Sequence, residues 1–276
     1  MDKNPVVSVI ATSVRPKNWL RIHENLSSSK VPFEMVFVGD EKPDFKLPKN
    51  FKYIYTKVKP CQCSYIAYLY SSGQYILNSA DDFTYSAKAL DYYVKTMEKY
   101  DKEENVVLGA SFGREKKADL RFFGSYSKYY KKEYMPMLVC GIFTRKESIE
   151  LLGGFERRFI CGYWDVDILM RTYEAGGVVK VCDNVSCFED KKEPGMRQLP
   201  KKFVKYHDRD MFYGLWTVET KNVDKRFTPD DFPKFTTKQI KKCKLKVMKT
   251  RSVVAEPFEN RDDILKISQS NKGTWE

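Results

Sequence analysis

Pairs of acidic residues at the ends of apolar stretches are the part of this sequence that most directly suggests chemistry. Asp81 and Asp82 follow the apolar residues 75–77. Two carboxylates at the end of a buried strand need a compensating cation, and their oxygens suit Mg²⁺ or Mn²⁺ bridging to phosphate. The structural alternative is that Asp82 caps a helix starting near Ser86.

A second acidic pair lies in the segment 153–171, where a double glycine leads through Tyr163 and Trp164 into Asp165 and Asp167. A carboxylate among aromatic side chains is partly desolvated, which raises its affinity for a proton and suits it to act as a general base. Asp165 is the candidate base. Acids in a first helical turn are also favoured by the helix dipole, so one of the two can be purely structural.

A third stretch, residues 207–216, predicts a helix in which Phe212 and Trp216 lie on one face and pack in the core. His207 and Arg209 are the members that could approach a diphosphate. A lone histidine is more often a packed or surface residue, so both interpretations stay open.

Alternating strand and helix patterns must position these groups. Continuous β-branched or apolar stretches predict strands, and amphipathic stretches between them predict helices, which together indicate βαβ units and an open, mostly parallel sheet. The predicted strands are 6–11, 33–38, 75–77, 106–110 and 137–144, and the predicted helices are 18–28, 63–72, 85–100, 146–152, 165–175 and a last one from about 199 to 216. Ligands of such sheets bind beyond the carboxyl ends of the strands, here residues 12–15, 39–40 and 80–82.

Composition is that of a folded globular protein, with 42% apolar and 31% charged residues among 276. Residues 221–276 carry 14 basic and 8 acidic side chains, a net +6 of the total +12. Such a segment suits nucleic acid, an anionic membrane surface or an acidic polymer, although a solvated basic surface is the commoner explanation. We therefore divide the chain into a domain at 1–220 and a Lys-rich C-terminal extension at 221–276.

The location of the protein is expected to be cytoplasmic. The sequence has neither a signal-peptide pattern nor an apolar stretch of about 18 residues. Its seven cysteines are scattered, without the paired spacing of a zinc site, and suit reduced thiols. Peripheral association with a membrane through the basic extension stays open.

In their order and spacing, the motifs over about residues 5–218 resemble the family-2 glycosyltransferases, which are inverting enzymes with the GT-A fold, a Rossmann-like, mostly parallel sheet flanked by helices. The matching stretches are VSVIATSVRP, VFVGD, GQYILNSADD, GGFERRF, WDVD and the Asp-Arg-x-x-Phe-x-x-x-Trp pattern that begins at Asp208. At residues 63–65 the family usually has Ala-Arg-Asn where this chain has Cys-Ser-Tyr, which leaves the nucleotide base open, with UDP-sugars favoured.

The resemblance implies a role for each matching residue. Asp82, with help from Asp81, would hold Mn²⁺ or Mg²⁺, and Asp165 would be the catalytic base. The nucleotide would contact Thr12, Arg15, Asp40 and Asp81, the donor or acceptor sugar would contact Gly141, Tyr163 and Trp164, and the diphosphate would contact His207 and Arg209.

The partners expected on this basis are a nucleotide-sugar donor and a glycan, lipid-linked or protein acceptor, with no specific nucleic acid. Two alternatives differ in class. One is a basic module that binds nucleic acid or another polyanion, and the other is a catalytically inactive relative that binds a nucleotide-sugar. Acidic residues converging at strand and helix ends would repel phosphate in the absence of a metal, which argues against the first.

Overall fold

The computed structural model describes residues 4–102, 104–114, 139–156, 159–175, 177–190, 208, 216–218 and 245–247. The strands are β1 Val7–Thr12, β2 Phe33–Gly39, β3 Phe51–Tyr55, β4 Tyr75–Asn78, β5 Phe83–Tyr85, β6 Val106–Arg114, β7 Cys140–Arg145, β8 Val178–Glu189, β9 Trp216–Val218 and β10 Leu245–Val247. The helices are α1 Pro16–Leu26, α2 Pro60–Leu69, α3 Ala89–Met97, α4 Lys146–Leu151 and α5 Trp164–Glu174.

Eight of the described strands form one sheet in the order β3-β2-β1-β4-β7-β6-β8-β5. The first four are mutually parallel, β7 runs antiparallel to both β4 and β6, and β8 is parallel to β6. The sheet is therefore a parallel half joined to a mixed half. The carboxyl ends of β1, β2 and β4 meet at one edge, as the sequence predicts.

Both faces of the central strands are covered, which explains their continuous apolar sequences. Residues 7–11 of β1 and 34–39 of β2 are buried. Helix α2 packs against β1 and β2, while α3 and α5 pack against β8. Helix α1 opens with a proline at its first turn and buries Trp19 against the rings of Phe37 and Tyr53.

The helix predicted at 85–100 begins four residues later, at Ala89, and this corrects the structural alternative for Asp82. Residues 83–85 form β5 instead, because their alternating aromatic side chains pair with the end of β8. Lys88, in the left-handed conformation at φ 59°, precedes the helix. Asp82 therefore cannot cap it.

Strands β9 and β10 pair in antiparallel fashion, Trp216 opposite Val247. The predicted helix through Trp216 is wrong at its end, because Trp216 already lies in a strand. The rest of that predicted helix lies outside the described residues, Asp208 excepted. The paired strands come from either side of the division at residue 220. No helix in the part of the chain described above has the length and apolar character needed to span a membrane.

Candidate functional site

The loop between β1 and α1 is held in place by the carboxylate of Asp81. Its Oδ2 accepts the backbone N–H groups of Val14 at 2.7 Å and Arg15 at 2.8 Å, and the hydroxyl of Ser13 at 3.1 Å. Its Oδ1 pairs with the guanidinium of Arg15. Asn18 donates to the Asp81 carbonyl at 3.0 Å. Both carboxylate oxygens of this buried residue are thus engaged by the loop.

Asp82 lies next to the same guanidinium. Nη1 of Arg15 is 3.5 Å from Oδ2 of Asp82, so the arginine lies between the two carboxylates. The carbonyl of Asp82 accepts the N–H of Asp190 at 2.9 Å, which joins this loop to the end of β8. Arg15, predicted to contact nucleotide, is therefore held at the carboxyl end of the sheet with its positive charge already balanced by these carboxylates.

Three acidic residues that are distant in sequence, Asp82, Asp165 and Glu189, lie near enough to Cys140 at the start of β7 for their charges to act on its thiol. Burial raises the pKa of Cys140 well above its usual value, and the negative charges of Asp165, Glu189 and Asp82 raise it further. Such an effect needs short separations in a poorly solvated environment. The predicted base and the predicted metal ligand, Asp165 and Asp82, are thus brought to one region.

Glu189 is a member of this region that the sequence analysis missed. It ends β8 opposite Phe83, and its charge also raises the pKa of the buried Cys187. The signal was available, because Glu189 and Asp190 follow an apolar stretch just as Asp81 and Asp82 do. Strand β8 itself was not predicted, so this pair had no position in the expected sheet.

Asp165 lies in the first turn of α5 and is partly buried. Burial raises its pKa above the ordinary value of 3.8, against hydrogen bonds from its own and the Val166 N–H groups, which lower it. Within the described residues, no side chain forms an ion pair with it. A carboxylate in this condition can accept a proton from a bound hydroxyl.

Asp167, two residues on, has a structural environment instead. It is fully buried and pairs with Nε of Arg171 at 2.9 Å. Arg171 in turn donates to the carbonyls of Leu152 at 2.7 Å and Gly154 at 2.5 Å. The pair therefore fixes α5 to the glycine turn, and of the two acids only Asp165 is left for chemistry.

The three predicted sugar contacts differ in their surroundings. Trp164 is buried with its ring edge-on to Phe155, 4.9 Å between centroids, so it belongs to the core. Tyr163 is partly buried in the left-handed conformation at φ 65°. Gly141 has φ 62°, and an added Cβ would lie 3.1 Å from the hydroxyl of Tyr85. A glycine is required here both by its conformation and by this close approach.

The remaining predicted contacts are at the parallel edge or outside the described residues. Thr12 ends β1, where its hydroxyl donates to the carbonyl of Pro60 and lies 3.0 Å from Oγ of Ser64. Asp40 follows β2 and is partly exposed. His207 and Arg209 lie outside the described residues.

Asp208, between them, is described and fully buried. Its carboxylate accepts the backbone N–H groups of Ile160 at 2.9 Å, Cys161 at 2.7 Å and Gly162 at 2.9 Å. These residues form the loop that leads into α5. The sequence offered Asp208 only as part of a motif, because its donors lie 46 to 48 residues away.

The residues present can be tested for their fit to a divalent cation. In the described ranges, no group of three histidine, cysteine or acidic side chains has the arrangement of a metal site. Magnesium-type ions, however, are often bound by one or two carboxylates, completed by substrate phosphates and water. Asp82 fits that pattern. Asp81 would first have to give up its bonds to the β1–α1 loop.

Comparison of the sequence with known protein families and with curated proteins finds no match. Solved structures do match. A mannosyltransferase from Pyrobaculum calidifontis in complex with GDP-Man and Mn²⁺ superposes with a TM-score of 0.54 at 16% identity, covering 84% of this chain and 68% of that one. The chain has a GT-A-like fold. The expected fold class is thereby confirmed.

Two further solved structures match this GT-A-like fold less well. Residues 1–349 of TarS from S. aureus give a TM-score of 0.48 at 14% identity, with 67% of this chain and 60% of that one covered. A Drosophila β-1,4-galactosyltransferase 7 in complex with manganese, UDP-Gal and xylobiose gives 0.42 at 12% identity, with 66% of each chain covered. The chain thus spans less than two thirds of the TarS fragment. At these identities the likeness concerns the fold.

Proposed function

We propose that this protein transfers a sugar from a nucleoside-diphosphate sugar to an acceptor hydroxyl, with inversion at the anomeric carbon. The observation that carries the proposal is that the charges of Asp82 and Asp165 both act on the thiol of Cys140, so that the two carboxylates lie in one region of a GT-A-like fold. A carboxylate that can hold a divalent cation suits the phosphate end of a donor, and a partly desolvated carboxylate suits proton removal.

In this reaction a bond forms between the acceptor oxygen and the anomeric carbon, while the bond from that carbon to the diphosphate breaks. Asp165 takes the proton of the acceptor hydroxyl, and the electron pair of the broken bond leaves with the nucleoside diphosphate. Arg15, which is held against Asp81 and Asp82, would contact the phosphates. Trp164 and Phe155 would help exclude water from the base.

Asp82 is the residue that would hold Mn²⁺ or Mg²⁺, because its carboxylate oxygens are hard ligands near the carboxyl ends of the strands. Such an ion would neutralise charge on the departing diphosphate. Asp40 and Thr12 would contact the nucleoside. UDP-sugars are the favoured donors, and a glycan, lipid-linked or protein hydroxyl is the acceptor.

A cytoplasmic location belongs to the same proposal. It rests on the scattered spacing of the seven cysteines in the sequence, which suits reduced thiols. Peripheral membrane contact through residues 221–276 stays a proposal as well.

The first test follows thermal unfolding of the protein with UDP, GDP, dTDP and CMP, each with and without Mn²⁺. One diphosphate at 100 times its Kd should stabilise the native state by about 2.7 kcal/mol, since it binds only the folded protein. Asp82→Ala should abolish the part of this shift that depends on Mn²⁺. Release of the nucleoside diphosphate from the matching donor sugar then measures transfer.

Asp91→Asn is the matched control. Asp91 also uses its carboxylate to hold a loop, accepting the N–H groups of Lys30 and Val31 at 2.9 Å, but at the amino end of β2, away from the site. This variant should keep the Mn²⁺-dependent shift. No shift with any nucleotide, together with salt-sensitive retardation of random oligonucleotides, would favour the basic binding module. A shift without turnover would favour an inactive binder.

A further inference from the structure

The carboxylate of Asp208 is completely buried, yet its two oxygens together accept three backbone N–H groups in a row. Oδ1 accepts from Ile160, and Oδ2 accepts from both Cys161 and Gly162. A charge removed from water is stable only when it is paired or fully hydrogen-bonded, and hydrogen bonds to a charged acceptor are stronger than neutral ones. This arrangement therefore fixes the loop 160–162 firmly to residue 208.

The loop 160–162 directly precedes α5, the helix whose first turn carries the proposed base, Asp165. The carbonyl of Ile160 accepts the N–H of Cys61, at the start of α2, and so connects the loop to that helix. The carbonyl of Tyr163 accepts the N–H of Asp167 at 2.7 Å, which is the first hydrogen bond of α5. A displacement of residues 160–162 would therefore move the first turn of α5, and Asp165 with it.

We propose that Asp208 is a positioning residue for the base, which sets the place of Asp165 by holding the loop 160–162. The inference rests on the proposed function for its catalytic part. Its structural part, the hold of Asp208 on the loop 160–162, does not depend on catalysis and can be measured separately. We do not propose that Asp208 itself contacts sugar or phosphate.

The readout for this hold is the thiol of Cys161, which is partly exposed. Burial, and after it the charge of Asp208, raise the pKa of Cys161 to about 12, while the charge of Lys59 lowers it. The thiolate is the form that reacts with alkylating reagents. Loss of the Asp208 charge should therefore make Cys161 more reactive at neutral pH.

The variant Asp208→Asn tests both parts. An amide keeps one acceptor oxygen but turns N–H donors toward the N–H groups of the loop, so the loop cannot keep its position. We expect kcat for transfer to fall about 10- to 100-fold, as for a reacting group misplaced by about 1 Å, with little change in the Kd for the nucleotide. Alkylation of Cys161 by iodoacetamide, followed by peptide mass spectrometry, should be about tenfold faster, equal to a pKa lower by one unit.

Asp91→Asn is again the matched control, since it removes a loop-holding carboxylate elsewhere and should change neither kcat nor the Cys161 rate. Hydrogen exchange of the wild-type protein needs no variant at all. The amides of Ile160, Cys161 and Gly162 should exchange as slowly as those of β1. Rapid exchange there would overturn the inference even if Asp208→Asn fails to fold.

The two proposals fail in different ways. If the wild-type protein transfers sugar and Asp208→Asn keeps its kcat, Asp208 does not position the base. If no donor is turned over by the wild-type protein, the proposed function fails, and slow amide exchange with a faster Cys161 reaction in the variant would still support the hold on the loop. An unchanged Cys161 rate in the folded variant, together with amides of residues 160–162 that still exchange slowly in it, would contradict that hold directly.

Discussion

Asp165 and Asp167 look alike in the sequence, because both are acidic residues at the start of a helix. They differ in their surroundings in the folded protein. Asp167 is neutralised by the buried guanidinium of Arg171. Asp165 is desolvated and, among the described residues, lacks such an ion pair, so its charged form is disfavoured. The residue whose charge is least stabilised is therefore the one suited to accept a proton.

Replacing Asp165 by Asn should lower transfer about 10²- to 10⁴-fold, the usual contribution of a general base. Stability should stay the same or rise slightly, because a poorly solvated charge is removed. Both are measured on one preparation, by donor turnover and by thermal unfolding. Asp167→Asn is the contrast, and should lose about 3 kcal/mol of stability by leaving Arg171 buried without its carboxylate. Full activity in Asp165→Asn would refute the assignment of the base.

The pH dependence of transfer should show the raised pKa of Asp165. The base must be unprotonated, so kcat/KM should fall as the pH falls through a value above the ordinary 3.8. The sign for stability is opposite to that of a salt-bridged acid. The folded state binds this proton more tightly than the unfolded state, so this group lowers stability as the pH rises from 3.8 through its folded pKa. A profile of kcat/KM against pH checks the first point.

Single residues were predictable where a local pattern defines them. Asp82 and Asp165 were singled out because each follows an apolar stretch or opens a helix, and their roles stay predictions. The role of Asp81 was not, because its partners in the β1–α1 loop are 66 to 68 residues distant in sequence. Sequence spacing can suggest that a carboxylate needs a cation, but only the fold shows that Arg15 provides it.

At the scale of elements, Glu34 joins three parts of the parallel half of the sheet. From β2 it accepts the hydroxyl of Ser8 on β1 at 2.7 Å, the ammonium of Lys52 on β3 at 2.7 Å, and the N–H of Ser72 before β4 at 2.6 Å. Burial raises its pKa, but the hydrogen bonds from Lys52, Ser72 and Ser8 outweigh burial and leave the pKa below 4.5. Glu34 thus stabilises the strands that lead to the predicted nucleotide contacts.

Glu34→Gln should lower the free energy of unfolding by about 1–3 kcal/mol, because donors buried around it lose a charged acceptor. In the wild-type protein the contribution of Glu34 is fully present above pH 4.5, its unfolded pKa, and is lost as the pH falls through the lower folded pKa. Urea unfolding of both proteins between pH 3 and 7 measures the difference in their free energies of unfolding. This range includes about pH 4, where carboxyl groups ordinarily titrate. A difference that does not shrink in acid would show that Glu34 acts by packing alone.

Elements were predictable where they are long or continuously apolar. The sequence placed β1, β2, β4 and α1 within a few residues of their observed bounds. It missed β3, β5, β8, β9 and β10, and it merged β5 into the helix that begins at Ala89. The stretch Phe83–Tyr85 is short, and its strand conformation depends on pairing with β8, about a hundred residues later. Tertiary pairing of that kind overrides local propensity.

For the whole molecule, the described thiols give an overall measure of folding. Cys61, Cys63, Cys182 and Cys187 are buried, and Cys140 and Cys161 are partly exposed. Because burial raises the pKa of Cys140 well above its usual value and that of Cys161 to about 12, the native protein should react slowly at neutral pH. A thiol-reactive dye should label these six much faster in the unfolded than in the native protein. Rapid labelling of Cys182 or Cys187 in the native state would contradict the core described here.

Asp208 also bears on how the polypeptide can be divided. A fragment ending at Asp190 would contain the complete eight-stranded sheet but would lack the acceptor for the amides of residues 160–162. Such a fragment should form the sheet, but its loop 160–162, which leads into α5, would not be held in place. A separate peptide carrying Asp208 would then be its natural complement, so the protein could be divided into two parts that must associate before the loop 160–162 is fixed.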